Sequence, residues 1–269
     1  MDYKFYRTEK EGHIGWIYLN RREKKNAMNP SAFTELPEII KIFNEDNDIR
    51  AIIITSSSET FSSGLDLIEM SSVIEEIREP DQDGSTKWSL IEKITRLQES
   101  VSILQSIEKP VIAAVNGLCI GAGLDLISGC DIRLCSKDSM FSLREAALGF
   151  VADIGALQRL PPIIGEGNTR ELAFTARFID AETALRIHLV NAIFTDRDSL
   201  LIGARDMALE IASNSPLAIK ATKRVLNFLL EEEIKRGLNY VASVSSNIIP
   251  SEDLKEAISA FLEKRKPKF

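Results

Sequence analysis

Apolar and polar residues alternate over Tyr3 to Glu9 and again over His13 to Leu19, on either side of Glu11-Gly12, which predicts a β-hairpin followed by the polar loop Asn20 to Asn29. Ser31 is placed to cap a helix running to about Asn44, with Pro37 either kinking that helix or belonging to a first turn that starts later. Arg50 to Thr55 is a short run rich in β-branched residues and reads as a buried strand; the loop Ser56 to Gly64 follows, and a helix is expected to open near Leu65. Glu79 to Thr86 is polar and rich in chain breakers, a mobile loop in front of a long helix over about Trp88 to Ile107. Beyond Lys109-Pro110 the pattern sharpens. Val111 to Val115 is a buried strand, Asn116 to Gly123 a glycine-containing turn, Leu124 to Gly129 a helix, and Asp131 to Cys135 another strand. From Gly167 onward the periodicity is largely helical, with Asp180 capping Ala181 to His188 and a strand over Val190 to Phe194. The expectation is an α/β core over residues 1–200 and a helical region over 201–269.

Composition supports a globular chain: 44% of the 269 residues are hydrophobic and 27% are charged. The net charge of −7 argues against nucleic acid as a main partner, since polyanion binding draws on basic patches. Only the tail from Lys255 to Phe269 leans basic. The three cysteines, Cys119, Cys130 and Cys135, sit in apolar surroundings without a CxxC pair, so buried thiols are expected rather than disulfides or zinc. With neither a signal peptide nor a run of about 20 apolar residues, the expected location is the cytosol, with no membrane partner.

Several chemistries lose support early. His13 and His188 are the only histidines, one in a strand and one at a helix end, and no GxSxG elbow accompanies them. Gly121-Ala-Gly123 does not complete a GxGxxG fingerprint, and no His/Cys cluster suggests a metal. Two glycine-bearing turns remain, Phe61 to Asp66 and Gly117 to Gly123, each following a buried strand and opening a helix. If they face each other, the backbone N–H groups of Leu65 and Ala122 can point at one carbonyl oxygen as an oxyanion hole. Three acids follow: Asp125, Glu145 and Asp153, the last two in a largely apolar stretch where burial would raise their pKa values. Taken by composition alone, a helix-cap Asp, a surface Glu and a turn Asp account for all three.

The order of several segments resembles the enoyl-CoA hydratase/isomerase (crotonase) superfamily over nearly the whole chain. They are Asn26-Ala-Met-Asn29, Arg50 to Thr55, Phe61 to Asp66, Lys109 to Gly117 running on to Asp131-Ile-Arg133, Gln158-Arg-Leu160, and Ala260 to Lys266. The resemblance implies a core of repeated ββα turns forming a spiral, a C-terminal helical trimerisation region, and trimers or hexamers. It implies acyl-CoA thioesters as substrates, with coenzyme A part of the substrate and no further cofactor. The family's oxyanion donors fall on the N–H groups of Leu65 and Ala122. Ser63, Gly64, Asp66 and Gly121 fall at the substrate, and Phe261 and Lys264 match C-terminal positions that contact CoA.

The Asp125, Glu145, Asp153 set is similar to that of Δ3,5-Δ2,4-dienoyl-CoA isomerases. That likeness implies a double-bond shift in fatty-acid β-oxidation: Asp153 takes a C2 proton, the two N–H groups hold the dienolate oxygen, Glu145 returns a proton at C6, and Asp125 orients or tunes the pair. Two alternatives stay open at this point. One is a 2-enoyl-CoA hydratase, a lyase using Asp125 and Glu145 on a water; the other is a non-catalytic acyl-CoA-binding subunit.

Overall fold

The computed structural model describes residues 3–70, 84–249 and 251–269. The predicted hairpin is present as β1 (Tyr6–Glu11) and β2 (Ile14–Leu19), antiparallel in the register Tyr6 to Leu19. Helix α1 (Pro30–Glu45) is capped by Asn29, whose side chain accepts from the Ala32 N–H, and Pro30 sits in the first turn. This corrects the expectation of a Ser31 cap: a proline without an N–H costs nothing at the first helical position, so the helix starts two residues earlier. Pro37 lies inside α1.

Strand β3 (Ala51–Ser56) pairs parallel with β2, and all six of its residues are buried. The helical turn that follows starts at Leu67 rather than Leu65. The expected loop Glu79 to Thr86 falls outside the described residues as far as 83, and its last three residues open helix α2 (Gly84–Ser106). Then come β4 (Val111–Val115), β5 (Leu118–Ile120), α3 (Ala122–Ser128), β6 (Ile132–Ser136) and β7 (Met140–Ser142). A 3-10 turn over Glu145–Leu148 leads to α4 (Ala156–Ile164), α5 (Glu166–Thr175), β8 (Ile179–Asp180), α6 (Ala181–Arg186) and β9 (Ala192–Phe194). Four helices complete the chain: α7 (Arg197–Ser213), α8 (Pro216–Phe228), α9 (Glu231–Ile248) and α10 (Glu252–Leu262). Asp180 caps α6 as expected, its carboxylate accepting from Thr183.

The large sheet runs β1-β2-β3-β4-β6-β9, and every pair after β1–β2 is parallel. Such a sheet needs cover on both faces. Ile52, Ile54, Ala113 and Val115 face one core together with α1 and α2, while Ala51, Ile53, Ile112 and Leu134 face Leu200, Ala204 and Ala208 of α7. Residue 200, the expected division between core and helical region, therefore lies within a helix packed on the sheet.

A small second sheet, β5-β7-β8, is also present, and its strand β5 lies inside what the sequence suggested was only a turn over Asn116 to Gly123. It makes the repeat visible. Each spiral turn takes one strand in the large sheet, one in the small sheet, and then a helix or helical turn. Thus β4 leads to β5 and α3, β6 leads to β7 and the 3-10 turn, and β3 leads to Ser62, bridged parallel to Cys119, and the helical turn from Leu67. The α/β spiral core with appended helices agrees with the crotonase-like expectation.

Candidate active site

Stacking of equivalent turns builds the site. Ser62 is bridged to Cys119, with Ser62 N–H donating to Leu118 O (2.8 Å) and Ile120 N–H to Ser62 O (3.0 Å), while Cys119 is paired in register with Phe141. Three residues on from Ser62 and Cys119 stand Leu65 and Ala122; four on from Phe141 stands Glu145. Residues spread over 80 positions of sequence are thus delivered to one place because their preceding strands share a register.

Glycines let these turns touch. Gly64 has φ +97°, and a Cβ there would lie 3.3 Å from Ile120 O. Gly121 has φ +49°, and a Cβ there would lie 3.0 Å from Glu145 Oε1 and 3.9 Å from Gly64 Cα. Met28 N–H donates to Gly64 O (2.7 Å) and Asp66 N–H to Met28 O (2.9 Å), so in this parallel bridge the Leu65 N–H between them faces away from Met28. Ala122 is the first residue of α3, where helical N–H groups have no intrahelical acceptor. Among the described residues, neither the Leu65 nor the Ala122 N–H donates to a protein acceptor.

All three acids are buried: Asp125 is 1% exposed, Glu145 5% and Asp153 8%. A cap, a surface side chain and a turn residue would not be placed so. Asp125 Oδ1 accepts from the Ala156 N–H at 2.6 Å, while Glu145 Oε2 has no hydrogen-bond partner among the described residues. Burial pushes Glu145 well above the ordinary carboxylate range, with the charges of Asp125 and Asp153 adding to the rise. Burial also raises Asp125, opposed by its bond from Ala156 N–H and reinforced by Asp153. Asp153 is pushed up to about 6 by burial, a rise tempered by the nearby Ser245 hydroxyl. Burial thus raises all three acids of one cluster above the ordinary carboxylate range, toward the range in which side chains exchange protons near neutral pH.

Other expected residues behave differently. Asp66 is committed to the fold: its Oδ2 accepts from Arg21 Nη1 at 2.7 Å, and its Oδ1 from the N–H groups of Ile68 and Glu69 at 3.1 Å each. These bonds brace the Leu65 turn at the residue that follows it. Ser63 is half-buried, its N–H donating to Lys25 O at 3.1 Å. Phe261 near the end of α10 and Lys264 just beyond it are exposed, 55% in the case of Phe261. The start of α10 nevertheless reaches the site's support, because a Cβ on Gly149, next to the Glu145 turn, would meet Asp253 and Leu254 backbone at 2.8 to 2.9 Å. All three cysteines are free and buried. His13 bonds through Nδ1 to Asp48 O, far from the acids in sequence and exposed.

Arg159 was not singled out from the sequence. Almost wholly buried, it donates to Gln105 Oε1 (2.7 Å) and Ser102 Oγ (2.7 Å) of α2, and its charge favours ionised Asp125. Its presence beneath Asp125 has no marker in local sequence beyond the Gln158-Arg-Leu160 segment. Among the described residues no group of three or more His, Cys, Asp and Glu is placed to hold a metal ion, and no helix is long and apolar enough to cross a membrane.

A family model described as Enoyl-CoA hydratase/isomerase matches residues 9–269. The chain is 40% identical over 270 residues to the mitochondrial Delta(3,5)-Delta(2,4)-dienoyl-CoA isomerase of Dictyostelium discoideum, covering 100% of this chain and 92% of that protein. It is 34% identical over 260 residues to the short-chain-enoyl-CoA hydratase of Clostridium acetobutylicum, covering 96% and 94%. Among solved structures, the enoyl-CoA hydratase/isomerase from Pseudoalteromonas atlantica T6c superposes with a TM-score of 0.84 at 28% identity, covering 99% of this chain and 100% of that one.

Proposed function

The chain belongs to the enoyl-CoA hydratase/isomerase family, and from that premise we propose that it is a dienoyl-CoA isomerase converting 3,5-dienoyl-CoA to 2,4-dienoyl-CoA. The observation that carries this reading is the second buried acid. Asp153 is enclosed in the same cluster as Glu145, so the site holds two separate buried carboxyls, both raised above their ordinary range, where a base and an acid acting at different carbons are needed.

The thioester oxygen accepts from the N–H groups of Leu65 and Ala122. Ionised Asp153 removes a proton from C2, and the electron pair spreads through the diene to a dienolate whose oxygen charge those N–H groups stabilise. Protonated Glu145 delivers its proton to C6. The double bonds end at C2 and C4, Asp153 leaves protonated and Glu145 ionised, and a return of one proton between them resets the enzyme. Asp125 and Arg159 set the electrostatic background.

Hydration is the competing use of the same site, and it needs two carboxylates free to hold a water. Asp125 has one oxygen engaged by the Ala156 N–H, which favours isomerisation. We further propose a cytosolic location and a homo-oligomer, the latter supported by exposed Leu217, Val225, Leu226, Phe228 and Leu229 along and just after α8. Mixing the protein with 3,5-octadienoyl-CoA and following the ultraviolet absorbance of the conjugated 2,4-dienoyl thioester tests the reaction. Turnover abolished in Asp153→Asn with CoA binding kept supports it; faster hydration of crotonyl-CoA than isomerisation of the diene overturns it.

A further inference from the structure

Asp153 is held from the C-terminal helices. Gln98 of α2, only 2% exposed, spends its side-chain amide on two carbonyls at once: its Nε2 donates to Asp153 O at 2.7 Å and to Leu238 O of α9 at 3.1 Å. One amide therefore ties the backbone of the Asp153 loop to α9. Seven residues beyond Leu238, two turns on along the same face, stands Ser245. It is 1% exposed, and among the described residues its hydroxyl has no hydrogen-bond partner in the resting arrangement. Its neighbour Ser246 bonds back to Ser243 O at 2.8 Å in the ordinary helical manner; Ser245 does not. An orphaned hydroxyl in a packed interior demands a reason, and the Asp153 carboxyl beside it supplies one.

We propose that Ser245 is a positioning residue for the isomerisation: its hydroxyl turns to donate to ionised Asp153, so that α9 aims the base and keeps it charged. The inference rests on the isomerase reading given above. Among the described residues, the ionisable groups whose charges act together with that of Asp153 are Asp125 of α3 and Glu145 of the 3-10 turn, and Arg159 of α4 acts on Asp125. On α2, Glu92, Lys93, Arg96 and Glu99 are none of them buried, and on α9 the nearest ionisable residues, Arg236 and Tyr240, are exposed.

Removing a donor from an ionised carboxylate raises its pKa, whereas loss of mere packing leaves a pH profile in place. The experiment compares wild type, Ser245→Ala and the equal-sized pair Ser245→Thr and Ser245→Val, with Asp153→Asn as reference, on 3,5-octadienoyl-CoA. In Ser245→Ala and Ser245→Val the acid limb of kcat/KM is expected to move up by about one pH unit, with kcat about tenfold lower and KM within about twofold. Ser245→Thr restores both. An unshifted acid limb in Val and Ala variants, or Thr and Val variants that behave alike, overturns the role of Ser245 while leaving the isomerase reading intact. Full turnover in Asp153→Asn overturns that reading and this inference with it.

Discussion

Gly121 and Glu145 stand so close that a single methyl group on Gly121 would reach 3.0 Å from Glu145 Oε1. The same φ of +49° that an L side chain adopts with strain lets the turn bring Ala122 N–H to the acid. Gly121→Ala is expected to fold, with a stability cost of about 1 to 3 kcal/mol, and to displace the Glu145 carboxyl. Displacement of a reacting group by an ångström costs about 10²-fold in rate. Circular dichroism with kcat measured on the same sample checks both halves; unchanged kcat would separate Glu145 from the oxyanion turn.

The buried acids trade stability for function. Asp153 has a folded pKa of about 6 against 3.8 when unfolded, so the native state binds the extra proton between those values. Its contribution is complete below about pH 4 and disappears as pH rises through 6, worth up to about 3 kcal/mol at 1.4 kcal/mol per unit. Asp153→Asn should therefore melt higher than wild type at pH 8 and close to wild type at pH 4, despite being inactive. Paired thermal melts at the two pH values measure the difference, which must shrink on the acid side.

Lys223 of α8 is buried, and its Nζ donates to Leu104 O (2.8 Å), Lys109 O (2.9 Å) and Asp131 Oδ2 (2.7 Å). Asp131 Oδ2 also accepts from the Val111 N–H at 2.7 Å, so one carboxylate joins β4 to α8. Lys223→Met removes the cation and leaves two carbonyls and a partly buried acid short of a donor. A loss of about 3 kcal/mol is expected in urea unfolding, with turnover per folded molecule unchanged at 25 °C.

Gly149 has φ +73° and lies against backbone atoms at the start of α10, which cannot step aside as a flexible side chain would. In Gly149→Ala, α10 should undock, exposing its buried Leu254, Ala257 and Ala260. Faster tryptic cleavage in the last twenty residues, together with a raised KM for the CoA thioester, is the expected pair of results.

How much of this was legible in the sequence depended on the length of each element. The hairpin, β3 and β4 declared themselves because five or six residues give a readable period or an unbroken apolar run. Strands β5 and β7 have three residues each, too few for any period, and β5 is further hidden between Gly117 and Gly121. Yet their pairing sets the register that gathers Leu65, Ala122 and Glu145. The acids could be named from the sequence, but their convergence came only with the family resemblance. The ion pair that Asp66 makes with Arg21 was not legible, because Arg21 lies 45 residues earlier, beyond any local pattern. Gln98 and Ser245 look like ordinary polar helix positions, and only their burial sets them apart.

The Gln98 amide spans 140 residues to reach Leu238. A contact of that sequence separation forms only once α2 and α9 have docked, because closing the intervening chain costs entropy before the amide bonds offset it. The Asp153 loop is therefore expected to be among the last parts of the fold to become fixed, later than the strand pairs that set the Leu65 and Ala122 turns.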